Sequence, residues 1–393
     1  MNSTVLDLKI NTSDTLSDFE NYNSQLKEEV SEVHLYLAKN FKRKFFNDAW
    51  ISSLIAKASS GSRKLVVTEW GDRGAKGFQL GDSLIGVTSA YLADEIKNSK
   101  SQKIQVDVQQ IIESIALSNK GMIDCNSSTG HTFTFCSFDS RDKNKYFPRP
   151  LALSAENINE FTDIFLKIKR DKIDKAFGIA PPGTSSLFED YHPYQMERSF
   201  AALIYELYEN TIQHGNKDES NNLVEGVRSF SIKRHTITNT DDFKSGAENF
   251  AELTGYMASI SAMRNQKSLR FYEISIVDNG IGIIKRFVAS RPDFLESEPF
   301  KSLPDFEKLN FIIDKSLSSK LFPGAGKGIK GALRNISDLK GFISLRTNDL
   351  WACYDGTEKV TNDNFAFKPV KTKLQLDNIS GTCYNILIPV SPR

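Results

Sequence analysis

Hydrophobic residues in the second half of the chain recur with two distinct periods. ERSFAALIYELYENTIQHG places apolar residues three to four positions apart, which predicts a long amphipathic helix. VRSFSIKRHTI, FYEISIV, GFISLRT and TCYNILIPV predict strands, and ALRNISDL predicts a second helix. A polar helical insertion is expected around residues 241–265. A further stretch of helical character, with little apolar continuity, is expected from 284 to 322.

The first half alternates between helical and extended patterns. TVLDLKI, KLVVTEW and TFTFCSF predict strands, whereas LSDFENYNSQLKEEVSEVHLYLAKNF and SQKIQVDVQQIIESIALS predict helices. A Pro-, Gly- and Ser-containing stretch at 181–192 interrupts helix-like sequence on both sides and predicts a linker. We therefore expect an α+β protein: a mixed α/β domain over 1–180, and a C-terminal α/β sandwich over 193–393 with helices on one face of a mixed sheet.

Composition narrows the classes of partner. The 393 residues suggest two or three domains, and 50 Lys and Arg against 49 Asp and Glu give a net charge of +1, which favours neither nucleic acid nor an acidic membrane surface. No apolar run reaches the length of a membrane span. The opening MNSTVLDLKINTSD lacks the positive start and apolar stretch of a signal peptide, so a cytoplasmic protein is expected.

The four cysteines lie far apart in the sequence and predict reduced thiols. Cys125, His131 and Cys136 come closest to a metal-binding cluster. Strand alternation turns His131 and Cys136 to opposite faces, which disfavours a zinc site.

Three polar side chains lie along one side of the predicted long helix. Glu206, Asn210 and His214 stand at i, i+4 and i+8, so they form one row on the shoulder of the apolar stripe. A carboxylate, an amide and an imidazole at the boundary between core and cleft are suited to bind a ligand. A solvated shoulder on an ordinary amphipathic helix is the alternative.

The turn-forming sequence DNGIG follows the most apolar strand. Asp278, at the end of a buried strand, could accept a hydrogen bond from an exocyclic amine. Gly280 and Gly282 lack a Cβ atom and would let a flat base lie close to the backbone. A hairpin turn is the alternative for the same residues.

Clustered glycines, PGAGKGIKG, precede the second predicted helix. Their backbone amides would lie at a helix N-terminus, which favours phosphate oxygens, and Lys327 or Lys330 would add positive charge. A Walker A loop is excluded, because Leu321 stands where that loop needs glycine and Gly328 where it needs Ser or Thr.

The same glycines also match a dinucleotide-binding pattern. Gly326, Gly328 and Gly331 fit G-x-G-x-x-G, and Asp349 follows about twenty residues later. The pattern should come directly after a strand, however, and SSKLFPGA precedes it here, so this interpretation is the weaker one.

Together and in this order, the three elements resemble the motifs of the GHKL ATPase superfamily. This Bergerat-fold group includes gyrase B, heat-shock chaperones, MutL, histidine kinases and anti-sigma-factor serine kinases. ELYENTIQHG resembles the N box of the family, DNGIG its first glycine box and GAGKGIKG its second. GFISLRT and GTCYNILIP are similar to its closing pair of strands. The resemblance runs from about Tyr194 to Pro389, is closest to the anti-sigma-factor and regulatory members, and implies a Bergerat-type sandwich.

The resemblance implies a role for each matched residue. Glu206 would activate the attacking water or hydroxyl, and Asn210 would coordinate the Mg²⁺ that bridges the ATP phosphates. Asp278 would bind the adenine amine, with Gly280 and Gly282 beside the ring. The other residues expected to contact the nucleotide are His214, Lys320, Gly324, Gly326, Lys327, Gly328 and Thr382. The segment 284–322 would form the ATP lid.

These roles imply Mg²⁺-dependent ATP hydrolysis by an ATP-dependent regulatory switch. Two alternatives stay open: a protein kinase, of the anti-sigma serine type rather than the histidine type, and a nucleotide-binding regulatory module with negligible turnover. FFNDAWISSLIAKASSGSRKLVVTEW in the first half resembles STAS-like domains. We therefore expect this half to sense a signal or bind a partner protein. A homodimer is also left open.

Overall fold

Two β-sheets, with helices packed between and beside them, form this α+β protein. The computed structural model describes residues 4–11, 13–38, 45–70, 84–97, 100, 103–104, 132–139, 158–179, 193–215, 217–220, 222, 226–237, 250–264, 269–317, 328–360 and 365–390. Within these ranges, no helix combines the length and the apolar composition that crossing a bilayer requires.

The first sheet has five strands in sequence order, and the first four run parallel. The strands are β1 (Thr4–Ile10), β2 (Val30–Ala38), β3 (Lys64–Trp70), β4 (Glu95–Lys97) and β5 (Lys103–Ile104). The helices between them are α1 (Leu16–Gln25), α2 (Asn47–Ala58) and α3 (Leu84–Leu92). Crossovers between parallel neighbours have one hand, so this strand order puts all three helices on the same face.

The segment 16–41, expected as one helix, divides into helix α1 and strand β2. In β2 the buried Val33, Leu35 and Leu37 alternate with the partly exposed Glu32 and His34. This period of two is the pattern of a strand with one buried face. The prediction of a single helix is wrong because the helix-favouring residues ahead of Val30 outweighed that alternation.

The second sheet has seven strands in the order β11-β10-β9-β12-β8-β7-β6. They are β6 (Thr132–Asp139), β7 (Gly226–Ile237), β8 (Leu269–Asp278), β9 (Phe342–Thr347), β10 (Leu350–Asp355), β11 (Lys368–Pro369) and β12 (Thr382–Val390). Each described pair is antiparallel, where we expected a mixed sheet. The reason is that β9 and β10 form a hairpin and the longer connections also return the chain in the opposite direction.

Helices cover both faces of this second sheet, whereas the sequence predicted a helical layer on one face. The helices are α4 (Ile158–Ile168), α5 (Pro193–His214), α6 (Ala251–Arg264), α7 (Ile283–Ser290), α8 (Asp305–Asp314) and α9 (Gly328–Asp338). Shorter turns are at Lys169–Asp174, Lys175–Phe177, Asp293–Glu296 and Phe300–Ser302. Helices α4, α5 and α9 share a core with one face, and α6 shares a core with the other face and with the helices of the first sheet. Strand β8 is accordingly buried along almost its whole length.

Strand β6 and helix α4 precede the expected linker but pack with the second sheet. Strand β6 pairs with β7 along its full length, and Phe165 of α4 stacks on Phe200 of α5 at 6.1 Å between ring centroids. The second sheet therefore includes residues from the range 1–180 that we assigned to the first domain. A Pro- and Gly-rich stretch marks a loop, which need not be a boundary between cores. The linker itself, 181–192, lies outside the described residues.

Helix α2 lies between the two sheets and joins the two halves of the chain. All but one of its residues are buried. Its Ala49 packs with Val277 of β8 and Cys383 of β12 in one apolar cluster. These two residues are the sequence neighbours of Asp278 and Thr382, so α2 lies directly behind the ends of the two central strands.

Ion pairs between described residues also connect the halves. Arg346 of β9 donates to Glu20 of α1 through Nε at 2.8 Å and Nη2 at 3.0 Å. Both side chains are almost fully buried, at 0% and 2% exposure. Lys233 of β7 pairs with Asp48 of α2. Buried charges depend on their partners, so these pairs fix how the first half sits on the second sheet.

The segment expected as the lid, 284–322, is mostly helical where the structure describes it. Phe287, Phe300 and Ile312 form a small core of their own. Asn310 of α8 donates to the backbone oxygen of Phe367 at 3.0 Å and accepts from its N–H at 2.9 Å. Through residue 317 this segment is therefore a packed helical layer; residues 318–322 lie outside the described part.

Candidate functional site

Helix α5 carries the predicted polar row. It ends within one residue of the predicted end but begins at Pro193, four residues before the predicted start at Glu197; proline is suited to this position, where no backbone donor is needed. Phe200, Leu203 and Leu207 are buried, while Glu206 and Asn210 are only partly buried. The row therefore lies at the edge of the core, as predicted.

The first turn of helix α9 lies directly against this row. A Cβ atom at Gly328 would lie 3.0 Å from Glu206 Oε2 and 3.2 Å from Asn210 Nδ2. The missing side chain at Gly328 is what lets the N-terminus of α9, with its unpaired amides, approach the two polar groups. A solvated helix shoulder does not fit this arrangement, because α9 covers the row.

The side-chain amide of Asn210 has an unmet hydrogen bond. Its Nδ2 atom is buried and has no hydrogen-bond partner among the residues that the structure describes. Buried polar atoms nearly always have a partner, which in many proteins is a ligand, an ion or an ordered water. The Asn210 amide nitrogen is therefore a candidate contact for a ligand.

Asp278 ends strand β8 with its side chain buried. Its Oδ1 accepts hydrogen bonds from the backbone N–H groups of Gly280 at 3.0 Å and Thr382 at 3.2 Å. Burial raises the pKa of the Asp278 carboxyl to about 7, although these hydrogen bonds and the charge of Arg228 oppose the rise. The Thr382 side chain also hydrogen-bonds to this carboxyl group. A carboxylate has about four acceptor sites, so capacity remains for a further donor.

The glycines of DNGIG make close approaches, but to other parts of this chain. A Cβ atom at Gly280 would lie 2.7 Å from the backbone oxygen of Gly215. Gly282 has φ +86°, and a Cβ atom there would overlap Oδ1 of Asn348. We expected both glycines to make room for a flat base; the structure shows that they let the turn pack on α5 and on the β9–β10 turn. The turn leads into helix α7, so the hairpin alternative is wrong.

Threonine side chains from two strands line the region next to Asp278. Thr382 lies opposite Asp278 in the β8–β12 register and is buried. Thr347 of β9 lies opposite Thr382, with 3.5 Å between their Oγ1 atoms, and accepts the N–H of Ile283 at 3.2 Å. The ends of three strands and the start of α7 therefore meet at Asp278.

Helix α5 connects the two parts of the site. Glu206 and Asn210 face α9, and Gly215, at the end of α5, contacts Asp278: a Cβ atom there would lie 2.7 Å from Asp278 Cβ. A helix rises about 1.5 Å per residue, so Glu206 and Gly215 are separated by about 13 Å along the axis. Glu206, Asn210 and, through Gly215, Asp278 thus all lie at the C-terminal half of α5, with Gly328 against the first two.

Several predicted residues lie outside the description. Lys320, Gly324, Gly326 and Lys327 fall in residues 318–327, and His214 belongs to α5 without a described side chain. Cys125 and His131 are likewise outside. Over the described ranges, no group of three or more His, Cys, Asp or Glu side chains is placed to hold a metal ion. A dinucleotide-binding pattern needs a strand directly before its glycines. Among the described residues, the element that precedes α9 is helix α8.

Sequence reasoning missed several residues beside the site. Arg228, Thr347 and Asn348 come from strands or turns with no recognisable motif. Asn348 donates through Nδ2 to the backbone oxygen of Ile281 at 2.9 Å and so holds the turn after Asp278. Strand pairing brings these residues to the site, and pairing cannot be read from one sequence alone.

Comparison with known proteins gives no match to a family model, to a curated protein or to a solved structure.

Proposed function

We propose that this chain is a GHKL-type ATPase that binds Mg²⁺ and ATP and uses hydrolysis as a regulatory switch. The observation that carries the proposal is the contact of Gly328 with both Glu206 and Asn210, in the C-terminal half of a helix whose C-terminal end contacts Asp278. A carboxylate, an unpartnered amide and a helix N-terminus meet at Gly328. A second carboxyl group, that of the buried Asp278, lies beside the C-terminal end of α5. Each suits a different part of a purine triphosphate.

The purine end of the site is Asp278. An ionised carboxylate with a free lone pair accepts a hydrogen bond from the exocyclic amine of adenine. Burial strengthens that bond and also makes it depend on the ionisation of the group. The backbone donors of Gly280 and Thr382 hold the carboxyl in place.

The phosphate end of the site is the contact between α5 and α9. The N-terminus of α9 presents backbone amides to phosphate oxygens. Asn210 is the candidate Mg²⁺ ligand here through its amide oxygen, because Mg²⁺ prefers oxygen ligands and takes few of them from the protein in addition to phosphates. When bound, the ion would neutralise charge on the phosphates.

Glu206 is the general base of this proposal. It stands one turn before Asn210 and contacts the same glycine, so it is positioned to accept a proton from a water that attacks the γ-phosphoryl group. A serine hydroxyl of a partner protein could take the place of that water, which is the kinase alternative.

A cytoplasmic, partner-regulated protein is part of the same proposal. The outward residues of β2 and β3 on the first sheet carry both signs of charge, with Glu32 and His34 beside Lys64. Mixed charge suits a protein partner rather than nucleic acid.

The test combines two substitutions with labelled ATP. Asp278→Ala should abolish saturable, Mg²⁺-dependent binding of a fluorescent ATP analogue, whereas Glu206→Ala should retain binding and lose turnover. Glu209→Ala is the matched control, because helical geometry puts Glu209 on the side of α5 opposite the apolar stripe. Incubation of γ-labelled ATP with candidate partners should release free phosphate; labelled protein would identify a kinase instead. Undiminished hydrolysis in Glu206→Ala would eliminate its role as base.

A further inference from the structure

Strand β7 places a buried arginine beside the candidate purine-binding carboxyl. Ser229 pairs with Val277 and Phe230 with Ile276 in the antiparallel β7–β8 register. This register ends at the Ser229–Val277 pair, and Arg228 and Asp278 are the next residues on the two strands. They therefore lie close to each other just beyond the paired part, and both share the parity of Phe230 and Ile276, which pack in one core.

Both residues of this pair are removed from water. Arg228 and Asp278 are each 4% exposed. The Arg228 backbone is fixed from two sides: its oxygen accepts from the Tyr208 hydroxyl at 3.5 Å, and the N–H of Val227 donates to Asn279 Oδ1 at 3.0 Å. Charges act strongly over a few ångströms in such an environment, because little water screens them.

The other groups around Asp278 define its electrostatic surroundings. In the described part of the chain these are Cys383 and Tyr384 on β12, whose pKa values burial raises and the Asp278 charge raises further. Gly215 at the end of α5 and Gly280 in the following turn carry no charge. Arg228 lowers the pKa of Asp278, against the rise caused by burial. Among the described residues, Arg228 is the cation whose charge lowers the pKa of Asp278.

We propose that Arg228 is a positioning residue for purine recognition, whose charge favours the ionised form of the Asp278 side chain, the form that accepts the hydrogen bond of the adenine amine. This inference rests on the proposed function. With the arginine in place the pKa of the Asp278 carboxyl is about 7, so part of the population is ionised at neutral pH. Without the arginine this pKa would be higher, and most of the carboxyl groups at pH 7 would carry a proton and present an O–H donor to the amine, which is itself a donor. Nucleotide affinity would then fall at every pH at which this proton stays bound to Asp278.

The test is the pH dependence of binding. Affinity for the fluorescent ATP analogue, with excess Mg²⁺, is measured from pH 6 to pH 9 in wild type, Arg228→Gln and Arg228→Lys. An opposite charge nearby lowers a carboxyl pKa by roughly one unit or more, so Arg228→Gln should bind about 5-fold more weakly at pH 7 and equally well at pH 9. Arg228→Lys should keep the wild-type profile. Titration of the nucleotide itself is common to every variant and cancels.

Arg234→Gln is the matched control, because Arg234 lies on the same strand and face but about 20 Å away. Its side chain donates to the backbone oxygen of Phe177 at 2.7 Å, and its loss should leave the pH profile unchanged. If His214→Gln removes the pH dependence, histidine is the titrating group and the inference is overturned. Equal weakening of Arg228→Gln at every pH would likewise overturn it, since that is the result of a structural role.

A second readout does not need nucleotide. The ¹³C carboxyl signal of Asp278, assigned by its disappearance in Asp278→Asn, is titrated in the nucleotide-free protein. Its midpoint should be higher in Arg228→Gln than in wild type or Arg228→Lys; an unchanged midpoint refutes the role of Arg228 even if ATP binds. If the midpoint moves but no variant binds ATP, Arg228 does act on the pKa of Asp278. The proposed function is then wrong, and so is the role of this pair in purine recognition.

Discussion

A single methyl group at Gly328 should separate catalysis from stability. In Gly328→Ala the added Cβ would lie 3.0 Å from Glu206 Oε2 and 3.2 Å from Asn210 Nδ2. Ordinary van der Waals contact begins at about 3.5 Å, so one or both side chains must move by a few tenths of an ångström. Since the Glu206 carboxylate is the end of a flexible side chain, we expect it to move first.

The expected loss of rate follows from the role proposed for the Glu206 carboxylate, which is that of general base. A misplacement of about 1 Å can cost about 100-fold in rate, so a shift of a few tenths should lower kcat for ATP hydrolysis by about 10-fold. Nucleotide affinity should change less, because Asp278 lies beside the C-terminal end of α5, not at Gly328. Alanine favours a helix over glycine by up to about 1 kcal/mol, so the free energy of unfolding should stay the same or rise slightly.

Gly331→Ala is the control that matches this change most closely. It adds the same methyl group to the same helix, one turn later, where a Cβ atom would meet nothing within 4 Å. Steady-state phosphate release and urea unfolding are measured for both variants. If Gly328→Ala turns over ATP as fast as Gly331→Ala and wild type, the contact of α9 with Glu206 has no part in catalysis.

Two further predictions concern buried charges. Glu20→Ala and Arg346→Met should each lower the free energy of unfolding by about 3 to 5 kcal/mol, because each leaves a buried charge without its partner, and Glu20→Leu combined with Arg346→Met should recover much of the loss in urea unfolding. Additive losses in the double variant would contradict this. For Asp278 the folded pKa of about 7 lies above the usual value of 3.8, so the folded state holds a proton that the unfolded chain releases. Its contribution is present in full below pH 4 and is lost as pH rises to 7, at up to about 1.4 kcal/mol per pH unit. Unfolding curves of wild type and Asp278→Asn should therefore diverge over that range, and parallel curves would refute the raised pKa.

The elements with a long, unbroken pattern could be predicted from the sequence. Helix α5 and strands β7, β8 and β12 agree with their predictions because each keeps one period over many residues. Strand β10 was not predicted, because Trp351 and Tyr354 are buried on opposite faces and produce no alternation. Helix α2 shows the same difficulty, since its Asn47 and Ser52 are polar yet buried between two sheets.

The candidate site was predictable in its parts but not in its contacts. The order of motifs placed Glu206, Asn210, Asp278 and Gly328 in one site, and in the structure all four lie next to the C-terminal half of α5. What the glycines touch, and which strand neighbours Asp278, depend on the register between segments far apart in sequence. Arg228 illustrates this, because only the pairing of β7 with β8 gives it a neighbour to act on.

The position of α2 has a consequence for how the two halves evolve and work. Neither half has a complete interior of its own: a fragment starting at residue 193 would leave Phe250 and Trp351 facing water, and one ending at 180 would do the same to Trp50. The two halves must therefore be synthesised and folded together, as one unit with a shared core, and not as independent domains joined by a linker. Through Ala49, the first half is in direct contact with the strands that carry Asp278 and Thr382.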